Sequence, residues 1–298
     1  MREAGAVILD YRNPDMTIRC TESLRHEGFT SVVIVDNSED GSISPVLESF
    51  LNNLNPNGLP EDIVVLTSRR NRGFAGGMNF ALKWLIRHRN LDFYLLLNND
   101  AVMTAGSLKQ LIAVSAKNAD TCLVAPSHLG ENSPGRLWYQ KTFGLVSKKK
   151  LPGAFPYLSG CCLLVPRKLA RDRFFDEDFF MYGEDVLLGW KMQQTRHKLA
   201  VADISLYHLG SASAPHGGFF YEYHVVRGHF LLAAKLSCSN LERILMFLGR
   251  TLALGARAAM RSFRQRSRVP LQAFTTVVYK EMLGMRIPYS SRTAPKRN

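Results

Sequence analysis

Residues 93–100 read FYLLLNND. Five apolar residues in succession have the length and composition of a buried strand, yet the run stops on Asn98, Asn99 and Asp100, groups that are costly to take out of water. Such an ending makes sense where the strand's carboxyl end meets a ligand that needs oxygens. Similar runs precede it, AVILDY near residues 5–11, SVVIVDN at 31–37 and IVVLTS at 63–68, and they alternate with the helical patterns MTIRCTESLRHEG, ISPVLESFLNNL and GGMNFALKWLIRHR. Strands alternating with amphipathic helices predict βαβ units, a mostly parallel sheet and an α/β class.

In open sheets of this kind ligands bind beyond the carboxyl ends of the strands. Four polar clusters occupy those places: Asp10, Tyr11 and Asn13; Asp36 to Ser42; Arg69 to Gly77; and Asn98 to Asp100. From about residue 125 the pattern lapses, and APSHLGENSPGRLWYQ and KKKLPGAFPYLSG, rich in Pro, Gly and charge, read as loops. Helical periodicity returns after about residue 217.

The composition is that of a folded protein: 298 residues, 46% hydrophobic and 21% charged. With 38 basic against 25 acidic residues the net charge is +13, which favours anionic partners such as nucleotides or lipid headgroups. Nucleic acid is not expected, because the basic residues gather towards the C-terminus without a recognition motif. The five cysteines show no CxxC pair and no zinc spacing, which predicts a reducing compartment and a role as small core hydrophobes. The apolar stretch at the N-terminus is too short for a signal peptide, and no uninterrupted apolar run is long enough to span a bilayer, so a cytoplasmic protein is expected.

Each motif has a functional and a structural reading. In VDNSEDGS (35–42), Asp36 offers a carboxylate to a base or ribose, or simply closes a turn. NRGFAGGMN (71–79) lacks the spacing of a dinucleotide fold or P-loop. Its Asn71, Gly73, Gly76, Gly77 and Asn79 nonetheless place small residues and N–H groups at a helix start, suited to a diphosphate. Asp100, with Asn98 beside it, could share a hard divalent cation with phosphate oxygens, or could end the strand in a polar turn. FFDEDFFMYGEDVLLGWKM (174–192) sets Asp176, Glu177, Asp178, Glu184 and Asp185 among aromatic rings; carboxylates so placed gain proton affinity, which suits a general base. His208, in YHLGSAS, is a lone histidine whose meaning depends on its neighbours.

The segment 243–268 contains no acid, and Arg243, Arg250, Arg257 and Arg264 recur every seven residues, with Arg261 and Arg268 repeating that interval. On a helix these make one basic stripe, with Ile244, Leu245, Phe247, Leu248, Leu252, Leu254 and Met260 on the other faces. The stripe is expected either to lie on an anionic leaflet or to face water with the helix packed on its own domain; a spanning helix is excluded by the cost of burying the arginines in lipid.

Taken in order, VDNSEDGS, NRGFAGGMN, LLLNND, SGCCLLVPR, FFDEDFFMYGEDVLLGWK and YHLGSAS resemble the family 2 inverting glycosyltransferases of the GT-A fold, especially rhamnosyltransferase-like members that build cell-surface polysaccharides. The resemblance spans about residues 5–230. It implies a nucleotide-sugar donor, with rhamnose from dTDP-rhamnose the first expectation and UDP-linked sugars the alternative. The acceptor would be a saccharide or lipid-linked glycan, and the metal Mg²⁺ or Mn²⁺.

By position, Asp36 matches an acid that contacts the base, Asn71 to Gly77 a loop beside the diphosphate, Asp100 the close of a metal motif and Asp185 the catalytic base. Glu184 is its neighbour, contacting acceptor or sugar, and His208 resembles a metal-binding histidine. Asp10, Tyr11, Asn13, Asn98 and Asn99 complete the expected nucleotide site. The chain departs from the family at Asn98, where an acid is common, and at Leu187, where relatives carry a second acid; with the arginine stripe these admit a catalytically silent membrane scaffold as the rival reading. The expected division is a nucleotide-sugar-binding half over 1–125, an acceptor-binding and catalytic half over 126–216, and a basic helical region over 217–298. The enzyme is expected at the inner face of the cell membrane as a peripheral protein.

Overall fold

The four N-terminal apolar runs all form strands, β1 (Ala4–Asp10), β2 (Ser31–Asp36), β3 (Asp62–Thr67) and β4 (Phe93–Asn98), paired in parallel in the order β3-β2-β1-β4. In the computed structural model, residues 2–39, 43–53, 62–119, 121–130, 133–208 and 218–282 are described. Helices α1 (Pro14–Glu22), α2 (Pro45–Asn52) and α3 (Gly73–His88) connect the strands. The first two open on proline, whose missing N–H is no loss in a first turn. The runs are continuous rather than alternating because both faces of the sheet are covered. Ile8, Ile34, Leu95 and Leu97 pack on one face, while Val7, Val33, Tyr94 and Leu96 meet Met78, Leu82 and Leu85 of α3 on the other. Register sets Asp10 opposite Asp36 and Leu9 opposite Asn98, so the polar residues that close the strands emerge at one rim.

The chain continues through β5 (Ala101–Val102), α4 (Ser107–Lys117), β6 (Cys122–Leu129), β7 (Ser133–Pro134), β8 (Arg136–Gln140), β9 (Leu145–Ser147), β10 (Ala154–Leu158) and β11 (Cys162–Pro166). Then follow α5 (Glu184–Gln194), β12 (Lys198–His208), α6 (Phe219–Leu236), α7 (Asn240–Gln265) and α8 (Val269–Met282). The main sheet is mixed. Its order is β3-β2-β1-β4-β11-β6-β12-β5, with β7 on β6 and with β11 antiparallel to both of its neighbours.

The stretch expected as loops holds instead a second, antiparallel sheet in the order β10-β8-β9. Its strands are only three to five residues long, and Pro156 lies on β10, an edge strand where a missing N–H is tolerated. This small sheet and α5 share a core with the C-terminal helices: Tyr139, Phe155, Phe179, Val186 and Leu187 pack with Leu232, Ala233 and Leu236 of α6 and Met246 of α7.

The arginine stripe does not form one solvent-facing row. Arg250 is fully buried, its guanidinium donating to the carbonyls of His229 and, at 2.8 Å, Lys141. Arg257 and Arg261 hold the buried carboxylate of Glu222 on α6 at 2.8 and 2.7 Å. Of the six arginines expected in the stripe, Arg243, Arg264 and Arg268 are exposed. The helix is held to its own domain by its arginines, a geometry that regular spacing could not reveal. Four cysteines are buried as expected, but Cys238 is exposed.

Candidate active site

At the rim, Asp100 follows β4 and is 6% exposed. Beside it the Asn98 amide oxygen is buried with no hydrogen-bond partner among the described residues, while the Asn98 N–H donates to the Cys161 carbonyl at 2.8 Å. Asn99 turns partly inward and donates to Asp10 Oδ1 at 3.3 Å and Thr17 Oγ1 at 3.1 Å. Thr17 in turn donates to Asp10 at 2.5 Å. Burial, with the Asp36 charge adding to it, pushes the Asp10 carboxyl up to about 6 against these hydrogen bonds and one from the Asn13 backbone.

Helix α5 supplies the facing acids. Its N-cap, Gly183, has φ +108, and a Cβ there would lie 2.8 Å from the Phe179 ring, so only glycine fits. Glu184 and Asp185 then fall in the first turn, where the helix dipole favours negative charge. Asp185 accepts from Val186 N–H at 2.8 Å and Gly160 N–H at 3.3 Å. Gly160 and Cys161 are consecutive, so a single peptide link ties the end of β4 to the start of α5.

Burial raises the proton affinity of both acids, and their proximity adds to it for Glu184. Asp185, which opens to the cleft and accepts two N–H groups, is the easier to ionise; Glu184 is 6% exposed, and its Oε2 has no hydrogen-bond partner among the described residues. Tyr182, two residues before Glu184, has its hydroxyl proton held more tightly by burial and by Tyr221, Glu184 and Asp100 nearby.

A cavity of about 280 Å³ collects these groups: Tyr11, Asn71, Gly73, Asn98, Asn99, Asp100, Glu184 and Asp185 all line it. A second depression of about 510 Å³ contains Asp10 and Asp36. Both Asp36 oxygens are already engaged, by the N–H groups of Ser38 and Ser44 at 3.0 Å each, so this carboxylate closes its own loop as well as facing the depression.

Other expected residues stand elsewhere. Asn13 caps α1 without a side-chain hydrogen bond to it. Gly76, Gly77 and Asn79 lie buried within α3 rather than on the cavity, which corrects their expected place in a nucleotide loop. A Cβ on Gly77 would come within 2.4 Å of the Leu9 side chain, so that glycine lets the helix sit close on β1. Asn79 exchanges hydrogen bonds with the backbone of Phe175, at 2.8 and 2.9 Å, and donates to Glu177, pinning the aromatic loop. Asp176 and Asp178 are likewise structural, bound to Lys235 of α6. The backbone of His208 pairs with Ala101, one residue from Asp100; its side chain lies outside the described residues, as does the Asp40 to Ser42 end of VDNSEDGS. Leu187 is buried in the core beneath the cleft, so an acid in its place would not face this cavity.

Sequence reasoning missed the residues that shape the cleft. Asn37 donates to Asn71 Oδ1 at 2.9 Å and to the Gly73 carbonyl at 3.2 Å, fixing the glycine loop. That loop is joined to the aromatic one: Phe74 N–H donates to the Phe180 carbonyl at 2.7 Å, and a Cβ on Gly73 (φ +69) would fall 2.2 Å from the same oxygen. Asn37 sat inside a quoted motif and Gly160 to Cys162 inside another, but contacts across the chain leave no local pattern.

The oxygens of Asp100 and Asn98 fit a hard divalent cation. Among the described residues no cluster of three or more His, Cys, Asp or Glu stands there.

Residues 6–174 match the profile of glycosyl transferase family 2. No curated protein matches the chain. Among solved structures it is similar to a mannosyltransferase from Pyrobaculum calidifontis in complex with GDP-Man and Mn²⁺, at 13% identity and TM-score 0.57 over 95% of this chain and 88% of that one. S. aureus TarS gives 19% identity and TM-score 0.49 over 86% of this chain but 43% of its own. A shorter form of TarS gives 15% and 0.49 over 97% and 94%. Because the profile match runs through more than half of the chain, including β1 to β4 and the rim they form, the protein belongs to glycosyl transferase family 2 and is a glycosyltransferase of GT-A fold.

Proposed function

We propose that this enzyme is an inverting transferase that moves rhamnose from dTDP-rhamnose to a saccharide or lipid-linked glycan during cell-surface polysaccharide synthesis. The choice of sugar rests on the ordered motifs alone. The chemistry rests on one observation: Asn98 and Asp100 line the same cavity as Asp185, with Gly160 and Cys161 bridging the Asn98 backbone to the Asp185 carboxylate. Asp185 takes the proton of the acceptor hydroxyl as that hydroxyl's oxygen forms the bond to the anomeric carbon. The bond to the nucleoside diphosphate breaks on the opposite face. Glu184 keeps its proton and donates to sugar or acceptor. Asp100 and Asn98 would hold Mg²⁺ or Mn²⁺, which when bound would neutralise charge on the leaving diphosphate. Tyr11, Asn71 and the depression at Asp10 and Asp36 receive the nucleoside, with Asn99 setting the Asp10 carboxyl.

A screen of nucleotide sugars for released nucleoside diphosphate, with and without Mn²⁺, tests the reading. Turnover of dTDP-rhamnose, abolished in Asp185→Asn and by chelation, is expected. Turnover of only a UDP-linked sugar would replace the donor, and no turnover with any donor would remove the enzymatic roles.

A further inference from the structure

Helix α7 is inside out. Its 26 residues, about 39 Å long at 1.5 Å per residue, turn Arg250, Arg257 and Arg261 towards α6 and the small sheet, where they meet carbonyls and the buried Glu222. The opposite face carries Leu241, Ile244, Leu245, Leu248, Leu252, Met260 and Phe263, all exposed, with Leu252 at 73% and Phe263 at 87%. From Leu241 to Leu252 they recur at three- and four-residue steps, and exposed Ala256 and Ala259 carry the strip on to Met260 and Phe263. Phe143, also exposed, touches Gly249 and widens the strip beside its N-terminal half. A continuous apolar surface of this extent marks a docking face.

Charge selects the occupant. Arg243 stands exposed near one end of the strip, and Arg264, Arg266 and Arg268 near the other; Lys148, Lys149 and Lys150 are exposed just beyond the hairpin that carries Phe143. Two copies of a chain carrying +13 would bring these cations together. An anionic bilayer accepts both parts, cations at the phosphates and side chains at the acyl boundary. No helix among the described residues is long and apolar enough to cross a membrane, so the helix lies along the surface.

We infer that the outward face of α7, with Phe143, seats this enzyme on an anionic lipid bilayer. The inference does not depend on the donor or on the roles given to Asp100 and Asp185. Sedimentation of the full-length protein with vesicles of phosphatidylcholine and phosphatidylglycerol tests it. Wild type is expected to pellet with these vesicles and less with phosphatidylcholine alone.

Combined Leu248→Gln, Leu252→Gln and Phe263→Gln should lower partitioning at least about tenfold without changing the thermal transition, since all three side chains already face water. Combined Arg264→Gln, Arg266→Gln and Arg268→Gln should weaken binding and reduce its dependence on salt. Wild type that stays in the supernatant, or an apolar variant that binds as wild type does, would overturn the inference. So would a wild-type dimer in sedimentation velocity that the apolar variant converts to monomer, because the strip would then be a contact between copies.

Discussion

Asp185 carries a tension at the level of one side chain. Burial holds its proton, yet two N–H groups and a helix N-terminus favour the ion that a base must be. Replacing it by Asn should lower turnover about 10²- to 10⁴-fold, read as released nucleoside diphosphate, while leaving donor binding measurable by calorimetry. Because its proton affinity is raised, the acid limb of the activity profile should fall well above the ordinary carboxylate value of about 4.

Stability should move the other way with pH. Glu184, Asp185 and Asp10 all hold protons more tightly when folded, so their contribution is complete below the ordinary carboxylate range and is lost as pH rises through the raised values. Buried His224 and His229, whose proton affinity burial lowers, act in the opposite sense, so the expected outcome is a difference: the midpoint of wild type relative to Glu184→Gln should fall as pH rises from the ordinary carboxylate range through about 8. Asn79 gives a contrasting case. Its bonds to Phe175 and Glu177 predict that Asn79→Ala loses about 1–3 kcal/mol in urea unfolding, the cost of leaving buried partners unmet.

Among the elements, the loop at the start of α3 and the aromatic loop before α5 behave as one piece, because the Phe74 N–H is fastened to the Phe180 carbonyl and Gly73 packs against the same oxygen with no room for a Cβ. Gly73→Ala combines a positive φ with a contact no Cβ can make. It should lower turnover and stability together, whereas Gly28→Ala, with a positive φ but open space around it, should cost only about 1 kcal/mol. Helix α6 is tied to α7 through one buried carboxylate serving two arginines. Glu222→Gln should destabilise the fold by about 3 kcal/mol in the same assay.

These ties explain what the sequence made legible. Strands buried on both faces and helices between them announce themselves in composition, so β1 to β4 and the rim at Asn98 to Asp100 were readable. The small sheet was not, its strands being too short to show a period. Nor could Gly76, Gly77 and Asn79 be told from cleft residues, since a glycine for close packing and one for a ligand look alike. The direction of the arginines on α7 depended on partners between 21 and 109 residues away.

For the molecule as a whole, the region after residue 217 is built into the body. Phe220 lines the cleft, and Leu232, Ala233, Leu236 and Met246 complete the core under α5. Calorimetry should therefore show one cooperative transition across both parts, and a chain ended before α6 should fail to fold, whereas a hung-on region would melt separately. The close fit at Gly73 also tells a protein engineer where to work. A library aimed at accepting new sugars gains nothing by randomising the position where backbone meets backbone; the variable wall is Tyr11, Met181 and Phe220, whose side chains border the same space.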